Sequence, residues 1–117
     1  MSEGMGGASS LAAELVRMVE RVRPWAMQRW AARATGREGS RADVVYDLVR
    51  DLAAACPATP PGAVPDRLRD LALADQLAVV GTEMLDWLHE HPDPELSAAL
   101  LTRVHDTRDA IESAPLS

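Results

Sequence analysis

LALADQLAVVGTEMLDWLHE, residues Leu71–Glu90, decides the fold class. Wound as a helix, it places Leu73, Leu77, Val80, Met84 and Trp87 on one side and Leu71, Ala74, Ala78, Gly81 and Leu85 on the adjacent side. Together they cover about half the circumference, wider than the stripe of a helix that packs on one neighbour. The pattern predicts the central helix of a bundle, from about Pro65 or Asp66 to His89 or Glu90, or a helix that also serves a subunit interface. On the second reading Leu73, Leu77, Val80, Met84 and Trp87 are the partner-interface residues, and a homodimer is expected. Ala74, Ala78 and Gly81 are small enough to let another helix approach closely.

Downstream, HPDP (His91–Pro94) is a tight connection, with Asp93 as N-cap, Pro94 in the first turn and Glu95 complementing the helix dipole. Leu96, Leu100, Val104 and Ile111 then supply the stripe of a last helix that ends at Ala114–Pro115. Upstream, PATPPGAVP (Pro57–Pro65) carries four prolines and cannot be helical, so it reads as a stiff crossover. Before it, Ser40 with Asp43 three residues on resembles a capping box. Val44, Val45, Leu48, Leu52 and Ala55 give the buried face of the helix that follows.

Nearer the N-terminus, Leu11, Leu15, Met18, Val19 and Val22 form one helical stripe, capped at Ser9 or Ser10. A straight continuation through Pro24 would bring Arg29 and Arg33 onto that buried side, which a core does not accept. The helix is therefore expected to kink or break at Pro24, with Met27, Trp30, Ala31 and Ala34 as the new apolar set and Gly36 as its end. The fold class is all-α, a four- or five-helix bundle in one domain over residues 10–113. Residues 1–9 are read as a flexible N-terminus and 114–117 as a tail.

Composition agrees. Of 117 residues 47% are hydrophobic but only 3% aromatic, with no Phe, so Leu, Val, Ala and Met must build the core. These residues suit helices, and few segments alternate as strands do. All twelve basic residues are Arg, as in the codon usage of a GC-rich bacterial genome. The net charge of −6 argues against nucleic-acid binding by bulk electrostatics. Residues 1–56 carry eight Arg against seven acids, and residues 57–117 four Arg against eleven, a contrast that packing of the two halves would explain. Cys56 is the single cysteine, no signal-peptide pattern opens the chain and no apolar run is long enough to span a bilayer. These features predict a cytoplasmic protein without membrane contact.

Three clusters could carry chemistry. Arg29, Arg33, Arg37 and Arg41, with Trp30 (or Trp25) to stack on a base, form a candidate anion or nucleic-acid contact, against the simpler reading of a solvated face. Asp86, His89 and His91 form a candidate metal set, although Asp75, Glu83 and Asp86 fall on the polar side of their helix. His105 and Asp109, four residues apart, could pair locally. GSRADVVYDL superficially resembles the serine-bearing helix start of acyl carrier proteins, but without their Asp-Ser-Leu motif, and Ser40 is read as an N-cap. Cys56 has no neighbouring base and reads as a small buried residue. No cofactor and no catalytic residue is expected. The sequence thus predicts a non-catalytic interaction or regulatory protein that binds a protein partner or itself. The alternatives are a helical-bundle enzyme or carrier holding a small ligand or metal, and an Arg-mediated nucleic-acid binder.

Overall fold

Pro24 breaks the first helical stretch. Its ring offers no N–H, and the chain turns there, with Arg23 N–H donating to Val19 O and Trp25 N–H to Val22 O, each at 3.0 Å. A computed structural model describes residues 6–60 and 65–112 of the chain. It contains α1 (Gly6–Val22), α2 (Met27–Ala31), α3 (Arg41–Ala55), a 3-10 turn (Asp70–Ala72), α4 (Leu73–Glu90) and α5 (Pro94–Glu112). Among the described residues the only β pairing is an isolated antiparallel bridge between Arg33 and Ser40. No helix there is long and apolar enough to cross a membrane. The described residues fold as an all-α bundle of five α-helices.

Four long helices make the body. α1 packs against α4 and α5, and α3 packs against the same two. Each of these contacts joins the first half of the chain to the second. The buried seam runs through Leu11, Leu15 and Val22 of α1, Val44, Leu48 and Leu52 of α3, Leu73, Leu77 and Met84 of α4, and Leu100, Val104 and Ile111 of α5. Among the described residues five arginine–carboxylate pairs also cross it: Arg21–Glu112, Arg23–Asp75, Asp43–Arg67, Asp51–Arg103 and Glu14–Arg108. The contrast in charge between the halves is thus used internally. Such exposed pairs are worth about 0–1 kcal/mol each, so apolar burial, at about 25 cal/mol per Å², dominates cohesion.

Ser40 caps α3 as its sequence implies. Its Oγ accepts from Asp43 N–H at 3.1 Å, and Asp43 Oδ2 accepts from Ser40 N–H at 2.9 Å. Ser40→Ala is expected to cost about 1 kcal/mol in urea denaturation. The backbone N–H of Ser40 and the Arg67 guanidinium, 2.6 Å away, hold the Asp43 carboxyl below its ordinary range. A depressed carboxyl contributes stability above its unfolded-state pKa and loses it as pH falls through the folded value. Asp43→Asn should therefore be less stable than the parent at pH 7, and the gap should close in titrations carried below about pH 4. Asp93 caps α5 in the same way, its Oδ1 accepting from Leu96 N–H at 3.0 Å.

Several boundaries differ from those expected. α1 is already helical at Gly6, so Ser9 and Ser10 lie inside it rather than capping it. The remaining part of the expected N-terminal segment, residues 1–5, and the tail 114–117 lie outside the described residues, as do residues 61–64 of the proline-rich crossover. α4 begins at Leu73, not near Pro65. Residues 65–69 instead run without helix along α3 and α4, because side chains from both hold them. Tyr46 Oη donates to Pro65 O at 2.7 Å, and buried Gln76 donates its Nε2 to Asp66 O at 2.7 Å. Leu71 consequently sits on the 3-10 turn, exposed rather than in the core. On α2 only Trp30 is buried; Met27 and Ala31 face outward because the helix is a single short turn that docks through one side chain.

Candidate functional site

The residues expected to meet a partner are already used. Leu73, Leu77, Val80 and Met84 lie in the chain's own core, which corrects their assignment to an intermolecular face. Trp87 is half-buried and stacks on His91, with ring centroids 4.5 Å apart and planes 16° apart. α4 is wide in its apolar pattern because it touches both α1 and α3, and each neighbour covers one part of the stripe.

What α4 leaves to solvent is a different row. Asp75, Val79, Glu83, Asp86 and Glu90 follow one another at spacings of three and four and are all exposed. Val79 is 58% exposed and lies between Asp75 and Glu83 in this row. A groove lies on either side of it. Between α1 and α4, a groove of ≈ 290 Å³ is lined by Leu15, Val16, Val19, Leu77, Ala78 and Leu85, with Glu20 and Arg23 also on its wall. Gly81 opens its floor, since a Cβ there would stand 3.5 Å from a Leu15 methyl. On the other side, Ala53, Pro65, Leu68, Gln76, Val79 and Val80 line one of ≈ 390 Å³, with Asp75 and Glu83 beside them. Exposed Val16 and Leu68 extend the apolar surface on the two flanks. Of the acids, Asp75 is paired with Arg23; among the described residues Glu20, Glu83, Asp86 and Glu90 have no ion pair. This ridge was not singled out from sequence, although a lone valine within a row of carboxylates was a readable signal.

The arginine candidates do not form one row. α2 ends at Ala31, so Arg29 is on the helix, Arg33 is on the bridge, Arg37 is in the loop and Arg41 opens α3. Arg37 pairs with Asp47 at 2.6 Å and is removed from the anion set. Trp30 is buried in a T-shaped contact with Trp25, centroids 5.0 Å apart, so it cannot stack on a base. The unexpected anchor is Trp25, buried under the guanidinium carbons of Arg29, at 5.0 Å from its ring centroid, and Arg41, at 5.7 Å. Arg41 Nε is buried without an acceptor, a donor state that costs about 1–3 kcal/mol. Packing on the indole offsets part of that cost.

The metal candidates are not assembled. Asp86, His89 and His91 are all exposed, His91 is engaged with Trp87, and among the described residues no group of three His, Cys, Asp or Glu side chains is arranged to hold a metal ion. His105 faces Glu14 of α1 at 3.9 Å rather than pairing with Asp109, whose carboxylate meets Arg108 at 3.7 Å. Cys56 is buried, its thiol 3.9 Å from Glu83 O. No family model, curated protein or solved structure matches the chain.

Proposed function

We propose that the protein is a non-catalytic interaction module, and that the outer face of α4 receives a basic amphipathic helix from a partner protein. The observation that carries this reading is Val79, apolar and open to water between two grooves and within a row of carboxylates of which Glu83, Asp86 and Glu90 have no ion pair among the described residues. An amphipathic helix laid along such a face buries apolar anchors spaced by three and four in the grooves and sets its basic flanks against Glu83, Asp86 and Glu90. Self-association through the same face is the weaker reading, because two copies would bring those carboxylates together. A cytoplasmic location belongs to the proposal and rests on the lone, unpaired Cys56.

The test uses a labelled helical peptide with leucines at spacings of three and four and lysines at the other positions, titrated by fluorescence anisotropy. Val79→Arg changes only an exposed side chain and should leave folding intact, yet weaken binding by about tenfold or more. A peptide of equal charge with its leucines changed to serine should not bind. Equal affinity of parent and Val79→Arg for the first peptide, or of the parent for both peptides, refutes the proposal. A dimer in sedimentation that Val79→Arg dissolves would make a second copy the occupant and refute the basic partner.

A further inference from the structure

Eight of the twelve arginines have a carboxylate within ion-pair distance: Arg17, Arg21, Arg23, Arg37, Arg50, Arg67, Arg103 and Arg108. The four without one among the described residues are Arg29, Arg33, Arg41 and Arg69, and the fold gathers them at one end. Arg29 and Arg41 both lie on the Trp25 ring. The bridge sets Arg33 beside Ser40, with Arg41 N–H donating to Ala32 O at 2.8 Å and Ala34 N–H to Gly39 O at 2.9 Å. Arg69 precedes the 3-10 turn, which packs against α2. In a chain of net charge −6 this is a local excess of positive charge. Glu38, on the same loop, makes no ion pair with any of them.

Like charges gathered without counter-charge repel one another, and here the arrangement is held by covalent turns and packing. Gly36 and Gly39 take φ values of 78° and 101°, which let the loop double back so that Arg33 and Arg41 come side by side. Arg41 is half-buried with its Nε–H turned inward, so its head is fixed by the indole rather than by a salt bridge. The guanidinium groups of Arg29 and Arg41 are thus held on the indole before any anion arrives, and the bridge fixes the backbone from which Arg33 reaches out.

We propose that Arg29, Arg33 and Arg41 form a binding site for a phosphate monoester group, a dianion whose oxygens accept the paired N–H donors of guanidinium forks. The site reads the phosphate and not a base, because Trp25 is buried beneath two arginines and Trp30 is buried behind it. It is independent of the α4 ridge. Trp25 packs with Arg41 at the start of α3, whereas Trp87 shares a pocket with Cys56 at its end, about 22 Å away along fifteen residues.

That separation supplies the control. Inorganic phosphate titrated into ¹⁵N-labelled protein at constant ionic strength should move the indole N–H signal of Trp25 saturably at about millimolar concentrations and leave that of Trp87 in place. Phosphoserine should act similarly, and sodium chloride at equal ionic strength should not. The Arg29→Ala/Arg33→Ala double variant, changed only at exposed side chains, should lose about tenfold in affinity, whereas Arg37→Ala should titrate like the parent. No saturable shift with phosphate, or a double variant indistinguishable from the parent, overturns the site. A short single-stranded oligonucleotide that moves the same signals far more tightly than phosphoserine, with steep loss in salt, replaces the monoester reading by nucleic-acid binding.

Discussion

Trp30→Ala should lower the free energy of unfolding by about 3–5 kcal/mol, the range for deleting a buried large aromatic side chain. Trp30 is 1% exposed and is the one buried residue of α2. A helix of five residues has no stability of its own, since nucleation is not repaid over so few hydrogen bonds. Removing the indole therefore does more than empty a cavity. It undocks α2, exposes Trp25 at its edge-on contact and loosens the loop that the Arg33–Ser40 bridge closes. Urea denaturation followed by far-ultraviolet circular dichroism measures the loss, and Trp25 emission should shift to the red in the folded variant. A change below about 1 kcal/mol, as a surface site gives, would show that Trp30 is not the anchor of this region.

Leu77→Ala should cost about 2–5 kcal/mol, whereas Val79→Ala, two residues along the same helix, should stay within about 0.5 kcal/mol. Leu77 has no exposed surface and Val79 is 58% exposed, so the pair reads out which side of α4 is inside. Leu77 also lines the groove between α1 and α4, beneath Ala78 and Gly81, so some relaxation of Leu15 into the vacated volume will place the cost toward the lower half of that range. Thermal and chemical unfolding of both variants settle the comparison. Similar losses at the two positions would mean that the valine is covered in solution and that the ridge is not available to a partner helix.

Much of the fold was legible because the signals were local. The Ser40–Asp43 cap spans three residues, the break at Pro24 follows from one missing N–H, and the buried residues of α1 and α3 recur at helical spacing. The start of α4 was not legible. Nothing between Pro65 and Leu71 forbids a helix; Tyr46 and Gln76, distant in sequence from the segments they hold, prevent it by capturing the carbonyls of Pro65 and Asp66. The sides of α4 were misassigned for a related reason. A stripe covering half a helix is equally compatible with two inner neighbours or with one neighbour and a second subunit, and only the positions of α1 and α3 decide. Of the arginine set, Arg29, Arg33 and Arg41 have no ion pair among the described residues, and the indole on which two of them lie is Trp25, to which a loop turning at two glycines returns Arg41.

Because α1 and α3 rest on α4 and α5 rather than on each other, the order of synthesis matters. A ribosome delivers α1, α2 and α3 first; α2 can dock on α3, but the oily sides that α1 and α3 turn toward α4 and α5 stay uncovered until the last two emerge. The newborn first half is thus the stage at which a chaperone or a neighbouring polysome has most to grasp. Translation pausing along the proline-rich stretch would lengthen that exposure without altering the finished molecule.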